Sequence, residues 1–195
     1  MAAFDALDRE SPPAKGQIVF VGSSTIVDWD VAKDFPGLTI IKRGLWGSSL
    51  ADTVRLLERF VLPYEPRLVV VYAGDNDVDG GQTPEDVTAQ FERFVRRVHA
   101  RLPQTRIVFI GIKPSPARWR TVDRARDTNE RIRTLAGTDD RITYLDVDRP
   151  MLGWDGKPRK ALFLDDGLHL SPQGYHLWST LLQPLLPASE RTTAD

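Results

Sequence analysis

The sequence contains no cysteine, which excludes disulfides, thiolate zinc sites and a cysteine nucleophile. Histidine is scarce, three in 195 residues with no pair at ligand spacing, so a catalytic metal is not expected. Charge of one sign is missing too. Lys and Arg total 26 against 27 Asp and Glu, a formal net charge of -1, and no global field favours nucleic acid or an anionic membrane. No run approaches the roughly 20 apolar residues of a membrane span. The opening stretch MAAFDALDRESPPAKGQ has acidic residues and no apolar run of signal-peptide length, so a cytoplasmic protein acting on a small molecule is the expectation.

Hydrophobic residues make up 41% of the chain, enough for one domain over 1–195 and too little for two. Its core is expected at about 17–186, with 1–15 and 188–195 as loosely held ends. Five short apolar runs rich in Val and Ile recur at 17–21, 38–41, 68–72, 107–112 and 142–147. Three of them, IVFV, LVVVY and IVFIGI, are continuous rather than alternating, as in strands buried on both faces.

Helical segments lie between the runs. In the clearest, Thr83, Pro84, Glu85 and Asp86 supply an N-cap, a first-turn proline and an acidic first turn, and Val87, Phe91, Phe94, Val95, Val98 and Leu102 form one stripe. Others are predicted at 51–62, at roughly 118–136, and after Ser171-Pro172, where Leu177, Trp178, Leu181, Leu182 and Leu185 recur. Strand and helix alternate, which predicts a three-layer α/β/α fold with a five-stranded parallel sheet. In such sheets ligands bind beyond the carboxyl ends of the strands.

Four segments at those ends carry chemistry. Gly22-Ser23-Ser24-Thr25 follows the first strand, where a glycine allows a sharp turn and a hydroxyl is presented; alone, this is ordinary turn or N-cap sequence. Arg43-Gly44-Leu45-Trp46-Gly47-Ser48-Ser49 follows the second, with glycines that permit close backbone approach. Ala73-Gly74-Asp75-Asn76-Asp77 follows the third, and the Asn side chain can donate to an oxyanion. Asp165-Asp166-Gly167-Leu168-His169 precedes the last helix.

In order, these segments resemble the four sequence blocks of the SGNH (GDSL-type) hydrolases, over about residues 17–186. The resemblance implies a flavodoxin-like fold and a serine esterase without cofactor. It makes Ser24 the nucleophile, with Asp166 and His169 completing a triad. It makes the Ser24 and Gly47 N–H groups and the Asn76 side chain the donors of an oxyanion hole. The usual Gly-Asp-Ser of the first block reads Gly22-Ser23-Ser24 here, so Ser23 competes with Ser24, as Asp165 competes with Asp166. The alternative is a non-catalytic, flavodoxin-like anion-binding or interaction module that uses the Gly22 and Gly47 turns. A Gly-x-Ser-x-Gly elbow is excluded, since position 26 is Ile, and no dinucleotide or Walker glycine pattern follows the first strand.

No insertion is long enough for a lipase-type lid, so a short acyl ester, of acetyl type, is the expected substrate. Trp29, Trp46, Trp119 and Trp154 all follow strands; Trp46 and Trp119 are taken as substrate-binding candidates. Lys113, Ser115 and Arg118 are placed to meet a polar leaving group. His99 and His176 read as helix-flank residues, and Asn129 as a structural hydrogen-bonder on an apolar face.

Overall fold

The computed structural model describes residues 2–188. The apolar runs form five strands, β1 (Ile18–Gly22), β2 (Ile40–Gly44), β3 (Leu68–Tyr72), β4 (Arg106–Ile110) and β5 (Ile142–Leu145). All pair in parallel, in the order β2-β1-β3-β4-β5.

Helix α1 (Ala2–Glu10) precedes the sheet. After β1 come α2 (Ser24–Asp28) and α3 (Val31–Asp34), and after β2 come α4 (Leu50–Arg55) and α5 (Leu57–Phe60). Helices α6 (Asp75–Asp79) and α7 (Pro84–Arg101) follow β3, α8 (Val122–Ala136) follows β4, and α9 (Pro172–Leu182) closes the described chain. The Thr83 capping box opens α7, with Pro84 in its first turn.

Every residue of β1 and β3 is buried, which explains why their runs do not alternate in polarity. Successive side chains feed two cores. Val19, Val21, Val69, Val71 and Phe109 meet Leu50, Leu57, Phe91, Phe94 and Ile132 on one face. Ile18, Phe20, Val70, Tyr72 and Ile110 meet Ile26, Trp29, Trp178 and Leu182 on the other. Each such side chain, fully buried, contributes roughly 1.5–3 kcal/mol by area.

Several boundaries differ from the sequence reading. Strand β2 runs on through two cations because each is neutralised or hydrogen-bonded locally: Lys42 Nζ donates to Val27 O and Trp29 O, both at 2.8 Å, and Arg43 Nε donates to Tyr64 Oη at 2.9 Å. The helix expected over 51–62 breaks at Leu56, whose ψ is 4°. The helix expected from 118 starts at Val122, because Arg118 has non-helical backbone within a 3₁₀ turn. The segment 1–15, expected to be loose, contains α1, whose Phe4 ring packs 5.3 Å from Phe60 and whose Asp8 pairs with Arg43 at 2.5 Å. Of the other expected loose end, 188–195, residues 189–195 lie outside the described residues.

From β1 the chain moves outward to β2 and then returns to β3 on the other side of β1. That reversal opens a crevice at the carboxyl ends of β1 and β3. Gly22 and Tyr72 pair there in register, so residues 23–24 and 74–76 emerge side by side. No helix among the described residues is long and apolar enough to cross a membrane.

Candidate active site

At the end of β1 only glycine fits. Gly22 has φ +143°, and a Cβ there would lie 1.8 Å from Tyr72 O. The turn separates the two serines. Ser23 donates its N–H to Tyr72 O at 3.0 Å and is 1% exposed, with a buried Oγ that has no hydrogen-bond partner. Ser24 opens α2 and is only half-buried, and its Oγ lies 3.2 Å from His169 Nε2.

His169 is held by its own loop. Asp166 Oδ1 accepts the N–H groups of Leu168 at 2.8 Å and His169 at 2.9 Å, and Oδ2 lies 2.5 Å from His169 Nδ1. Leu164 N–H donates to His169 O at 2.8 Å. Burial pushes the Asp166 carboxyl up, but the imidazole and the two backbone donors outweigh it and hold it at about 2. Asp165 is exposed and makes no hydrogen bond to His169. The two serines and the two aspartates are thus distinguished by where they point.

The loop after β2 is pinned onto β1. Leu45 N–H donates to Gly22 O at 2.9 Å, and Ser48 Oγ lies 3.1 Å from the same carbonyl. Gly47 takes φ +67° with open space beside it. Asn76, on α6, donates from Nδ2 to Ser48 O at 2.9 Å and accepts at Oδ1 from Arg118 Nη2 at 2.8 Å. Asp77 ties the same loops together, since its two carboxylate oxygens accept the Leu50 N–H at 3.1 and 3.0 Å. The segments carrying Ser24, Gly47, Asn76 and His169 are therefore bonded to one another at one end of the sheet.

Trp46 stands beside them, 62% exposed, with its ring 5.5 Å from the His169 imidazole. Trp119 does not join them. Its ring lies between the cations of Lys157 at 4.6 Å and Arg126 at 5.5 Å. Trp29 is fully buried with Nε1 donating to Asp34 at 2.8 Å, and so does not line a mouth. Trp154 is fully exposed.

The cations after β4 also differ from expectation. Lys113 and Ser115 are buried, and Lys113 Nζ donates to Tyr72 Oη and Asp75 Oδ2, both at 3.0 Å. Burial pushes the Asp75 carboxyl up, and Lys113 and Arg118 more than offset this, leaving it below the usual carboxylate range. Neither Lys113 nor Ser115 is free to meet a leaving group. The pairings of Asp75 with Lys113 and Arg118, of Asp77 with Leu50 and of Arg118 with Asn76 carry no local sequence signal, because each joins distant segments. His99 Nε2 lies 3.0 Å from Thr105 O, and His176 is exposed on α9.

Residues 22–177 match the sequence profile of the GDSL-like lipase/acylhydrolase family. The chain is 30% identical over 181 residues to platelet-activating factor acetylhydrolase IB subunit alpha1 of Bos taurus, covering 88% of this chain and 73% of that protein. It is 24% identical to the corresponding subunit alpha2 of Rattus norvegicus over 181 residues, with 88% and 74% covered. Among solved structures, a GDSL-like lipase from Bacteroides thetaiotaomicron has a TM-score of 0.79 at 20% identity, covering 94% of this chain and 95% of that one. An acetyl esterase mutant with an acetate ion has a TM-score of 0.69 at 15% identity, covering 87% and 95%.

Proposed function

Because this chain belongs to the GDSL-like lipase/acylhydrolase family and is therefore an ester-hydrolysing enzyme, we propose that it cleaves short, acetyl-type acyl esters through an acyl-enzyme on Ser24. Family membership sets aside the alternative of a non-catalytic anion-binding module. The observation that carries the mechanism is the chain Ser24 Oγ to His169 Nε2 at 3.2 Å and His169 Nδ1 to Asp166 Oδ2 at 2.5 Å.

An ionised Asp166 accepts a hydrogen bond from Nδ1–H and keeps the proton on that nitrogen, so Nε2 keeps its lone pair for the Ser24 hydroxyl. Ser24 Oγ attacks the ester carbonyl carbon as its proton moves to Nε2. The tetrahedral intermediate collapses, the bond to the alcohol oxygen breaks, and the Nε2 proton goes to that oxygen. Water repeats the sequence in reverse roles: it gives a proton to Nε2, attacks the acyl carbon, and Ser24 leaves with that proton.

The oxyanion at each tetrahedral stage takes hydrogen bonds from the N–H of Ser24, the N–H of Gly47 and the second Nδ2 hydrogen of Asn76. Ser24 N–H opens α2 and precedes its intrahelical ladder. Asn76 has a second amide hydrogen because Ser48 O uses only one.

Two features support a short acyl group. The two relatives matched by sequence are platelet-activating factor acetylhydrolase subunits, and the connections around Ser24 at 45–49 and 73–83 are too short to form a lid. The exposed Trp46 beside His169 offers an indole face to the alcohol side. A fluorophosphonate probe is expected to label Ser24, and kcat/KM is expected to fall from p-nitrophenyl acetate through butyrate to decanoate. Absence of labelling at Ser24 overturns the nucleophile; a preference for decanoate overturns the acyl-chain assignment.

A further inference from the structure

Asn76 uses both ends of its amide within the protein. Nδ2 donates to Ser48 O, and Oδ1 accepts from Arg118. Ser48 O already fixes which way the amide points, so orientation alone gives Arg118 little to add. Its distinct contribution is charge. A guanidinium hydrogen-bonded to an amide oxygen draws density out of the C–N system and makes the amide hydrogens stronger donors.

The guanidinium is held for that purpose. Nη1 lies 3.1 Å from Asp75 Oδ2 and Nε 3.4 Å from Asp79 Oδ2, while Nη2 makes the bond to Asn76 at 2.8 Å. One planar fork therefore spans three side chains of α6. Asp75 in turn is 6% exposed and is gripped by Lys113 at 3.0 Å and Tyr72 Oη at 3.2 Å. The turn that carries Arg118 is bonded to the loop that carries His169, through Ala117 N–H to Gly167 O at 3.0 Å.

We propose that Arg118 is a positioning residue for ester hydrolysis, which acts through Asn76 by polarising its amide so that it donates more strongly to the oxyanion, and that the buried Asp75–Lys113 pair exists to hold Arg118 in place. This rests on the assignment of Asn76 as an oxyanion donor. The alternative is that Arg118 only staples the turn after β4 to α6.

A double-mutant cycle on kcat separates the two. Arg118→Met is expected to lower kcat between about ten- and a hundredfold, less than the roughly 10²- to 10³-fold cost of deleting an oxyanion donor outright, because the amide still donates but more weakly. KM should change less than about threefold, because the oxyanion forms only after binding. In an Asn76→Ala background the same substitution is expected to change kcat by less than about twofold, because the donor it acts through is gone. A staple predicts a lowered melting temperature in both backgrounds and a kcat loss that persists in the second. If the Arg118→Met loss persists undiminished when Asn76 is Ala, the inference is overturned while the oxyanion assignment stands. If Asn76→Ala alone leaves kcat unchanged, the assignment itself fails and the inference with it. Should Arg118→Met not fold, Arg118→Lys keeps a charge against Asp75 and Asp79 but gives up the fork, and the same cycle applies with the same criteria.

Discussion

Asp166 binds His169 at two points: its Oδ2 is 2.5 Å from the ring Nδ1, and its Oδ1 is 2.9 Å from the backbone N. Asp166→Asn keeps a group able to cap the loop but can donate where the carboxylate only accepts, which favours the wrong imidazole tautomer. A fall in kcat of up to about 10⁴-fold is expected. The pH dependence has a definite sign. The folded carboxyl is held at about 2, below its unfolded value of about 3.9. Its contribution to stability is therefore fully present above about pH 4 and lost as pH falls through 2. Thermal melts should show a wild-type advantage over Asp166→Asn that is flat at neutral pH and shrinks only in that acid window. With 47% of the side chain exposed, solvent screening keeps the advantage small. A difference that disappears near pH 6 contradicts this account.

Ser23 and Ser24 should separate cleanly under mutation. Ser24→Ala is expected to abolish fluorophosphonate labelling and reduce ester hydrolysis to background. Ser23→Ala removes a buried hydroxyl that has no partner, so it relieves an unmet desolvation cost rather than breaking a bond. Hydrolysis within a few-fold of wild type, with a melting temperature equal or higher, is expected. Labelling that survives Ser24→Ala and is lost with Ser23→Ala reverses the assignment.

How much of this was legible follows from what each signal depends on. The strands β1 and β3 are readable because both faces are buried and every residue is apolar or small. The apolar run of β2 ends at position 41, where Lys42 and Arg43 begin; only the structure supplies the carbonyls and the Tyr64 hydroxyl that make them tolerable in an edge strand. Trp29 sits in the polar sequence Asp28-Trp29-Asp30 yet is wholly buried, because the chain from α2 to α3 turns it into the second core. Lys113, expected to meet a polar leaving group, is instead a buried partner of Asp75, 38 positions earlier. The block singles out Asn76 as a candidate donor, but its partner Arg118 lies 42 positions on. Local sequence reports backbone geometry and burial pattern; pairing of side chains across loops becomes visible only once the sheet order is known.

Asn129 marks the end of β4 by gripping one residue. Its Oδ1 accepts from Ile112 N at 2.7 Å and its Nδ2 donates to Ile112 O at 2.9 Å, replacing a strand neighbour where the sheet ladder stops. Asn129→Ala leaves both buried groups unpaired, at about 1–3 kcal/mol for each. The melting temperature should drop by several degrees, with kcat of the remaining folded enzyme reduced less than that of Asn76→Ala. Asn129→Asp supplies an acceptor for Ile112 N but sets a carboxylate against Ile112 O, so it should restore little of the loss. A full recovery by Asp would mean that only the Ile112 N–H matters.

Trp46 offers the opposite case, a large apolar side chain that stability does not need. It is 62% exposed, and its ring meets the His169 imidazole at 5.5 Å in a T-shaped pair. Trp46→Ala should therefore leave the melting temperature within about a degree, because little buried area is lost. If the indole meets the alcohol side of the ester, KM for aryl acetates should rise several-fold, while kcat, set by Ser24, His169 and the oxyanion donors, changes little. A series of acetates with aryl, sugar and small alkyl alcohols distinguishes stacking from mere shielding of His169. Stacking predicts a loss that grows with the flat area of the alcohol. Shielding predicts an equal loss for all of them, since covering the imidazole does not depend on the shape of the alcohol.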